Sequence, residues 1–232
     1  MTVRAVLFDV GGPLDLETAA EAARDADIRD GLESIGVAVT DLEYAAAERE
    51  AIGAFAPNVY RAIVWHFLRP DVDTCGRVYD WLAARGHERD HFELRPGIAA
   101  VLEGLQRRGL KLGIVANQPA GVLRHLDAHD IARFFDVAAV TGTHGYRKPD
   151  VRLFLEACSS LDVEPRECVM VGDRIDNDIV PAKLLGMHTV LLRSGRHRLQ
   201  QPRDWTELPD REATNAAGIE AAQHGAGDLE PR

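Results

Sequence analysis

Three carboxylates occur in places where they could do chemistry. Asp9 directly follows an apolar run at residues 3–8, and Asp173 comes just after a second apolar run at residues 167–171, with Asp178 shortly beyond it. A carboxylate held at the end of a buried strand can act as a nucleophile. Clustered carboxylates can also bind a hard divalent cation, because such cations prefer oxygen ligands.

A lysine and an asparagine could bind an anion beside these carboxylates. Lys148 precedes Pro149 and is one of only three lysines in a chain that is rich in arginine. Its ammonium group is a compact point charge that suits a phosphate group or a carboxylate. Asn117 ends the apolar run at residues 110–116, and the helix expected from about residue 119 would offer N-terminal amide groups to an anion. The chain therefore combines candidate nucleophilic, cationic and anion-binding groups.

Alternating strands and helices are expected to position these groups. The strands are expected at residues 3–8, 110–116, 136–140, 167–171 and 188–193, with a further short one at 213–215. The helices are expected from Pro96 to Arg108 and at residues 119–128, 150–161 and 178–186. This alternation predicts an α/β fold with a doubly wound parallel sheet. Because ligands bind beyond the carboxyl ends of such strands, Asp9, Asn117 and Asp173 are expected to face one crevice.

Residues 16–94 have a different character. They are rich in Ala, Glu, Asp and Arg, their apolar residues recur at helical spacing, and breaks fall near Gly36, Pro57, Pro70 and Gly86. This pattern predicts three to five helices and no strand. We therefore expect three parts, listed in this order: a core domain of residues 1–14 and 95–222, an inserted helical cap domain of residues 15–94, and a disordered tail of residues 223–232.

The overall composition narrows the class of protein. The chain has 232 residues and a net charge of −10, which argues against nucleic-acid binding and fits a cytoplasmic metabolic enzyme. No apolar run approaches the roughly 18 residues that span a membrane, and the first residues do not resemble a secretion leader. The odd number of cysteines without close pairing favours free thiols at Cys75, Cys158 and Cys168. The oligomeric state cannot be deduced from this sequence.

Four segments together resemble the haloacid dehalogenase (HAD) superfamily of hydrolases. They are residues 6–14, 112–117, 147–150 and 169–178, and their order and spacing match the four motifs of that family. The resemblance implies a Rossmann-like core with a helical cap inserted between the first and second motifs. It also implies Mg²⁺-dependent hydrolysis of a small phosphorylated metabolite through an aspartyl-phosphate on Asp9.

The resemblance also implies roles for individual residues. Asp9 and Lys148 would be the catalytic residues. Phosphate would be bound by Gly12, Ala116, Asn117 and Lys148. The Mg²⁺ ion would be held by Asp9, Asp173, Asp178 and the backbone carbonyl group of Gly11. Asp178 would either ligate the ion directly or orient the water molecules bound to it.

The chain departs from the family pattern at two positions. Gly11 stands where family phosphatases have the Asp that acts as general acid and base, a contribution of roughly 10²–10⁴-fold in rate. Ala116 stands where the family has a Ser or Thr hydroxyl group. Three outcomes remain open. Asp15, His144 or His66 replaces the acid, the substrate has a good leaving group such as that of an acyl phosphate, or the protein binds phosphorylated ligands or a partner with little or no turnover.

Two other family chemistries can be compared with the sequence. Phosphonate hydrolases of the family use a cap lysine, and residues 15–94 contain none. The 2-haloacid dehalogenases usually have Tyr at the position of Gly11 and need no metal ion, whereas the acidic segment 173–178 suits a cation. Dehalogenation is therefore the less favoured alternative. The cap is expected to act as a lid over the crevice, and its candidate polar contacts are Arg61, Trp65, His66 and Arg69.

Overall fold

Mainly apolar, buried runs form all the strands but the last in the computed structural model, which describes residues 2–85 and 92–224. The strands are β1 (Ala5–Phe8), β2 (Lys111–Ala116), β3 (Val137–Val140), β4 (Cys168–Gly172), β5 (His188–Leu192) and β6 (Arg211–Ala213). They form one sheet in the order β3-β2-β1-β4-β5-β6, and every pairing is parallel. The α/β parallel sheet predicted from the alternating pattern is therefore confirmed.

The order of the strands reverses at the centre of the sheet. From β1 the chain first moves to β2 and β3 on one side, and later to β4, β5 and β6 on the other. Phe8 of β1 lies in register with Val171 of β4 and with Ile114 of β2. Residues that follow β1 and β4 therefore leave the sheet side by side at its carboxyl edge. Such a switch point is where open parallel sheets bind their ligands.

The chain divides into two compact units. One comprises Met1–Leu16 and Glu93–Arg232, and the other comprises Glu17–Phe92. The boundaries between the units lie at residues 16/17 and 92/93. The sequence pattern predicted them at 14/15 and 94/95, two residues away in each case. The first unit contains the sheet. The regular elements among the described residues of the second unit are helices.

The second unit is built from four helices within its described residues. They are α1 (Thr18–Ser34), α2 (Asp41–Gly53), α3 (Val59–Leu68) and α4 (Val72–Ala84). Ile28, Leu32, Ile63 and Val64 are fully buried in its apolar core. Thr40 begins α2 with a capping box, in which its side chain accepts from the Glu43 amide group. The helices expected from the spacing of the apolar residues are thus present in this unit. The helix break expected near Gly86 lies outside the described residues.

Helices of the first unit lie between its strands and after the last of them. They are α5 (Ile98–Arg107), α6 (Val122–Ala128), α7 (Thr141–His144), α8 (Val151–Leu161), α9 (Val180–Leu184) and α10 (Ala216–His224). The helix expected at 178–186 is shorter than predicted, because a π-helical turn at Ile175–Ile179 precedes it. None of the helices within residues 2–85 and 92–224 combines the length and the apolar character that a membrane span needs.

Three sequence expectations near the carboxyl terminus and at the cysteines can be compared with the structure. The short strand expected at 213–215 lies two positions earlier, at Arg211–Ala213. Residues 223 and 224, expected to begin a disordered tail, instead end α10, and the rest of that segment lies outside the described residues. Cys75, Cys158 and Cys168 are buried free thiols, as predicted.

Candidate active site

Asp9 leaves the end of β1 with its carboxylate held from two sides. Its backbone N–H donates to the Val171 carbonyl group at 2.9 Å, which continues the pairing of β1 with β4. Its Oδ1 accepts from the Val10 amide group at 2.7 Å, and its Oδ2 lies 2.9 Å from Lys148 Nζ. The side chain keeps 14% of its surface exposed. A fixed and reachable carboxylate of this kind can act as a nucleophile.

Lys148 places a buried positive charge between two carboxylates. Its Nζ lies 2.6 Å from Asp178 Oδ1 as well as 2.9 Å from Asp9 Oδ2, and the residue is only 2% exposed. Burial by itself would lower the pKa of Lys148, but the carboxylates of Asp178 and Asp9 outweigh that effect and raise it. The lysine is therefore an ammonium ion, which offsets the repulsion that the Asp9 carboxylate would exert on an anionic substrate.

Asn117 fixes the backbone from which Lys148 projects. Its Oδ1 accepts from the Lys148 N–H at 2.7 Å, and its Nδ2 donates to the Lys148 carbonyl group at 3.0 Å. Thr141 Oγ1 donates to the same Oδ1 at 3.3 Å. The side-chain amide thus has partners in the protein, while the second N–H of Nδ2 and the Asn117 backbone are the groups left for the phosphate binding that the family resemblance implied. Ala116, before it, is fully buried at the end of β2.

The acidic segment after β4 folds back onto the last residue of that strand. Asp178 has no exposed surface, and its Oδ2 accepts from the Arg174 amide group at 3.0 Å. A Cβ atom on Gly172 would lie 2.3 Å from the Cβ atom of Asp178, so only glycine allows this approach. Burial and the neighbouring carboxylate of Asp9 raise the pKa of Asp178, although Lys148 opposes the change.

Asp9, Asp173 and Asp178 form the acidic cluster that the sequence predicted. Carboxylate oxygens of the three residues lie within 4.8 Å of one another. Asp173 and Asp178 are buried, at 8% and 0% exposure. An all-oxygen donor set with few carboxylates fits Mg²⁺, which retains several water molecules when it binds. These residues therefore fit the ion that the family resemblance implied.

Gly11 and Gly12 form a tight turn directly after Asp9. The Gly12 N–H donates to the Asp15 carbonyl group at 2.8 Å, and Gly11 forms a bridge with Asp15. Gly12 has a φ of 80°, and a Cβ atom there would lie 2.7 Å from the Cβ atom of Asp173. The turn is thus packed against the acidic cluster, and a side chain at position 12 would displace Asp173.

The three candidates for the missing general acid occupy different environments. Asp15 accepts a hydrogen bond from the Glu93 amide group at 2.9 Å, so its carboxylate joins the two chain segments of the first unit. His144 is the last residue of α7. His66 lies in the second unit, where its Nδ1 is 2.7 Å from Glu50 Oε2. Asp15 and His66 thus have structural partners of their own.

Two buried side chains near the site were missed from the sequence. Arg95 donates through Nε to the Gly12 carbonyl group at 2.6 Å. Gln200 is 1% exposed, and its Oε1 accepts from the Ile175 amide group at 2.8 Å beside the acidic segment. Both residues come from distant parts of the chain, and the sequence around Gln200 carries no local signal. The position of Arg95 directly before Pro96-Gly97, at the start of a predicted helix, was the single hint that it lies at a junction.

Comparisons with known proteins agree with this arrangement. Residues 3–186 match the family model of the haloacid dehalogenase-like hydrolases. The chain is 31% identical over 214 residues to the glyceraldehyde 3-phosphate phosphatase of Methanopyrus kandleri, covering 90% of this chain and 91% of that protein. It is 30% identical over 219 residues to the phosphoserine phosphatase of Thermus thermophilus, covering 89% and 86%.

The fold matches solved structures as well. A HAD phosphatase from Thermococcus onnurineus superimposes with a TM-score of 0.62 at 24% identity, over 96% of this chain and 99% of that one. This likeness shows the fold alone, whereas the match to the family model spans all four sequence motifs. The resemblance stated from the sequence is confirmed. The chain is an enzyme that belongs to the haloacid dehalogenase-like hydrolase family.

Proposed function

We propose that this hydrolase is a Mg²⁺-dependent phosphatase that acts on a small phosphorylated metabolite through an aspartyl-phosphate on Asp9. The observation that carries the proposal is the position of Lys148 Nζ, 2.9 Å from Asp9 and 2.6 Å from Asp178, beside a cluster of three carboxylates. The glyceraldehyde 3-phosphate and phosphoserine phosphatases among its relatives support a small phosphorylated substrate.

The first chemical step would use Asp9 as the nucleophile. One carboxylate oxygen attacks phosphorus, the bond from phosphorus to the leaving oxygen breaks, and an aspartyl-phosphate remains. Water then attacks phosphorus, which releases inorganic phosphate and restores the carboxylate. Lys148 holds a positive charge beside the reacting carboxylate throughout, and the Val10 amide group fixes the orientation of Asp9.

Asp9, Asp173 and Asp178, with the Gly11 carbonyl group, would hold Mg²⁺. When bound, the ion supplies positive charge that stabilises the phosphoryl oxygens. The turn at Gly11-Gly12 and the backbone amide groups after β2 would bind the phosphate group. A backbone carbonyl group is available from any residue type, so the replacement of Asp by Gly at position 11 does not remove this ligand.

Because position 11 is Gly, the residue that usually donates a proton to the leaving group is missing. An acyl phosphate releases a carboxylate, which needs no proton, so a substrate of that kind would avoid the deficit. An alkyl phosphate releases an alkoxide and would need an acid from elsewhere, worth roughly 10²–10⁴-fold in rate. We therefore expect the best substrates to be those with the most acidic leaving groups.

A second candidate function is binding of a phosphorylated ligand or partner with little or no turnover. Its support is that Gly11 lacks a carboxyl group and Ala116 lacks a hydroxyl group. Against it stand the buried ion pairs of Lys148, because a buried charge is costly to maintain where no chemistry requires it. Turnover therefore separates the two functions.

The proposal can be tested by phosphate release with Mg²⁺ from alkyl phosphates and from acetyl phosphate. We expect the wild type to be active, the Asp9→Asn variant to be inactive, and acetyl phosphate to be preferred. Beryllofluoride, a stable mimic of the phosphoryl group, should bind the wild type with Mg²⁺ and should not bind Asp9→Asn. A silent wild type together with an active Gly11→Asp variant would favour the binding function.

A further inference from the structure

Arg95 joins two loops that lie on either side of the candidate active site. Its Nε donates to the Gly12 carbonyl group at 2.6 Å, and its Nη2 donates to Ser194 Oγ at 2.6 Å. Gly12 belongs to the turn after β1, whereas Ser194 follows β5. Strand β4 lies between these two strands in the sheet, so the guanidinium group spans the end of β4. Asp173 emerges at that end.

The turn held by Arg95 is in direct contact with the acidic cluster. A Cβ atom on Gly12 would lie 2.7 Å from the Cβ atom and 2.8 Å from the Cγ atom of Asp173. The backbone at Gly12 is therefore packed against the Asp173 side chain. A shift of this turn would move Gly11 and Asp9 on one side, and it would displace Asp173 on the other.

The charge of Arg95 faces the same carboxylate. The residue is only 6% exposed, and burial lowers the pKa of its guanidinium group, while the carboxylates of Asp173 and Asp15 oppose that change. Arginine nevertheless stays charged in proteins. A guanidinium group buried in this way is costly unless its hydrogen bonds and its charge are matched. Here the Gly12 carbonyl group and the Ser194 hydroxyl group accept its hydrogen bonds, and the charges of Asp173 and Asp15 oppose its own.

We propose that Arg95 is a positioning residue for the active site. Its planar guanidinium group holds the turn after β1 against Asp173, which fixes the positions of the nucleophile and the metal ligands relative to one another. The inference rests on the proposed phosphatase function and goes beyond it, because Arg95 belongs to none of the four family motifs that the sequence displayed. Arg95 acts through Gly12 and Asp173 and does not itself touch the reacting atoms.

The Arg95→Lys variant tests whether the shape of the guanidinium group matters in addition to its positive charge. Lysine keeps the positive charge, but its single nitrogen cannot reproduce the two parallel donations to Gly12 and Ser194. We expect kcat to fall about 10- to 100-fold and the Kd of Mg²⁺, measured by calorimetry, to rise by a similar factor. The KM of the substrate should stay within about two-fold, because the contacts with the substrate are unchanged.

Two further variants make the test specific. Ser194→Ala removes the partner of one donor and leaves Arg95 in place, so we expect a smaller change in the same direction in kcat and in Mg²⁺ affinity. Arg133→Lys is the matched control, since Arg133 is 64% exposed and forms a surface ion pair with Asp130 in the same unit. This control should leave kcat, Mg²⁺ affinity and the melting temperature as in the wild type.

The outcomes distinguish this inference from the proposed function. A folded Arg95→Lys variant with the kcat and the Mg²⁺ Kd of the wild type would overturn the inference. A wild type that releases no phosphate from any substrate would overturn the proposed function, and the Mg²⁺ Kd of Arg95→Lys would then decide the role of Arg95. If Arg95→Lys does not fold, Ser194→Ala decides: wild-type values in both measurements would reject the positioning role.

Discussion

Asn117 holds Lys148 by bonding both polar groups of its backbone. The Oδ1 and Nδ2 atoms of Asn117 meet the N–H and the carbonyl group of Lys148 at 2.7 Å and 3.0 Å, much as a neighbouring strand would. The lysine ammonium group is thereby held at a fixed distance from the nucleophile. Asn117, which the family resemblance implies as a phosphate-binding residue, thus also positions Lys148 through its side chain.

Replacing Asn117 by Ala should weaken both the fold and the reaction. Two hydrogen bonds to partly buried backbone groups are lost, so we expect the free energy of unfolding to fall by about 2 kcal/mol. Phosphate release should fall as well, because Lys148 loses its fixed position. Urea denaturation and a phosphate assay measure the two effects. Thr141→Val, which removes only the 3.3 Å bond to the same Oδ1, should change each quantity much less. Wild-type stability and turnover in Asn117→Ala would contradict the assignment.

Replacing Gly172 by Ala should disrupt the acidic segment. The new Cβ atom would lie 2.3 Å from the Cβ atom of Asp178, which is too close for two carbon atoms, so the strand end or Asp178, the partner of Lys148, must shift. We expect a loss of about 3 kcal/mol in the free energy of unfolding and a large loss of Mg²⁺-dependent phosphate release.

Gly76→Ala is the matched control for this substitution. Gly76 lies within α4, and nothing lies within 4 Å of the position of its added Cβ atom. Alanine there should raise the free energy of unfolding by roughly 0.5–1 kcal/mol, since alanine favours the helix more than glycine does. Equal free energies of unfolding for Gly172→Ala and Gly76→Ala in chemical denaturation would contradict the close approach of Asp178 to Gly172.

Mg²⁺ should stabilise the wild type and should do so much less in Asp173→Asn. Three carboxylates within 4.8 Å repel one another, and a bound cation relieves that repulsion. At a Mg²⁺ concentration of about 100 times its Kd, linkage predicts a gain of about 2.7 kcal/mol. Thermal denaturation with and without Mg²⁺ measures the gain. Asp130→Asn is a suitable control, because Asp130 is exposed and has a positive φ that asparagine adopts readily. If Mg²⁺ stabilises Asp173→Asn as much as it stabilises the wild type, Asp173 is not a ligand of the ion.

Acid should destabilise the fold through His197. Burial lowers the pKa of His197 from its ordinary value of 6.5 to about 3, with help from the positive charges of Arg174 and Arg196 and against the charge of Asp176. Its buried Nδ1 has no hydrogen-bond partner among the described residues. The unfolded chain therefore takes up a proton near pH 6.5, whereas the folded chain does so only near pH 3.

The sign of this effect follows from proton linkage. The contribution of His197 is fully present above pH 6.5 and is lost as the pH falls towards 3, at up to about 1.4 kcal/mol per pH unit. His197→Leu cannot titrate, so its free energy of unfolding should fall less between pH 6 and pH 4 than that of the wild type. Denaturation with urea at several pH values measures the slopes. Parallel slopes for the two proteins would show that the ring is not held neutral.

Local signals in the sequence were sufficient for the strands and for the main acidic groups. Every strand of the first unit except β6 is a short, mainly apolar run, and Asp9 and Asp173 follow two of them. In a parallel sheet the ends of adjacent strands meet, so the side chains could be brought together without knowledge of their contacts. The pairing of β1 with β4 is what places Asp9 near the acidic segment.

The contacts that were not predicted join residues far apart in sequence. Arg95 and Ser194 are separated by 99 positions, and nothing in either segment indicates that they meet. The helix α10 was missed for another reason. Its buried face consists of Ala216, Ile219 and Ala222. Because two of these three residues are alanines, the helical periodicity of apolar residues is a weak signal here. Small residues that pack closely are hard to distinguish from a polar tail.

The arrangement of the two units has a consequence for synthesis of the chain. Strand β1 lies in the centre of the sheet and all four of its residues are fully buried, yet both neighbouring strands come from beyond the second unit. On the ribosome, β1 therefore emerges roughly one hundred residues before the first strand that can pair with it. The second unit is continuous in sequence and can be completed during that interval. The central strand of this enzyme therefore stays without its neighbouring strands while the second unit is synthesised, and slow growth at low temperature should raise the yield of folded protein.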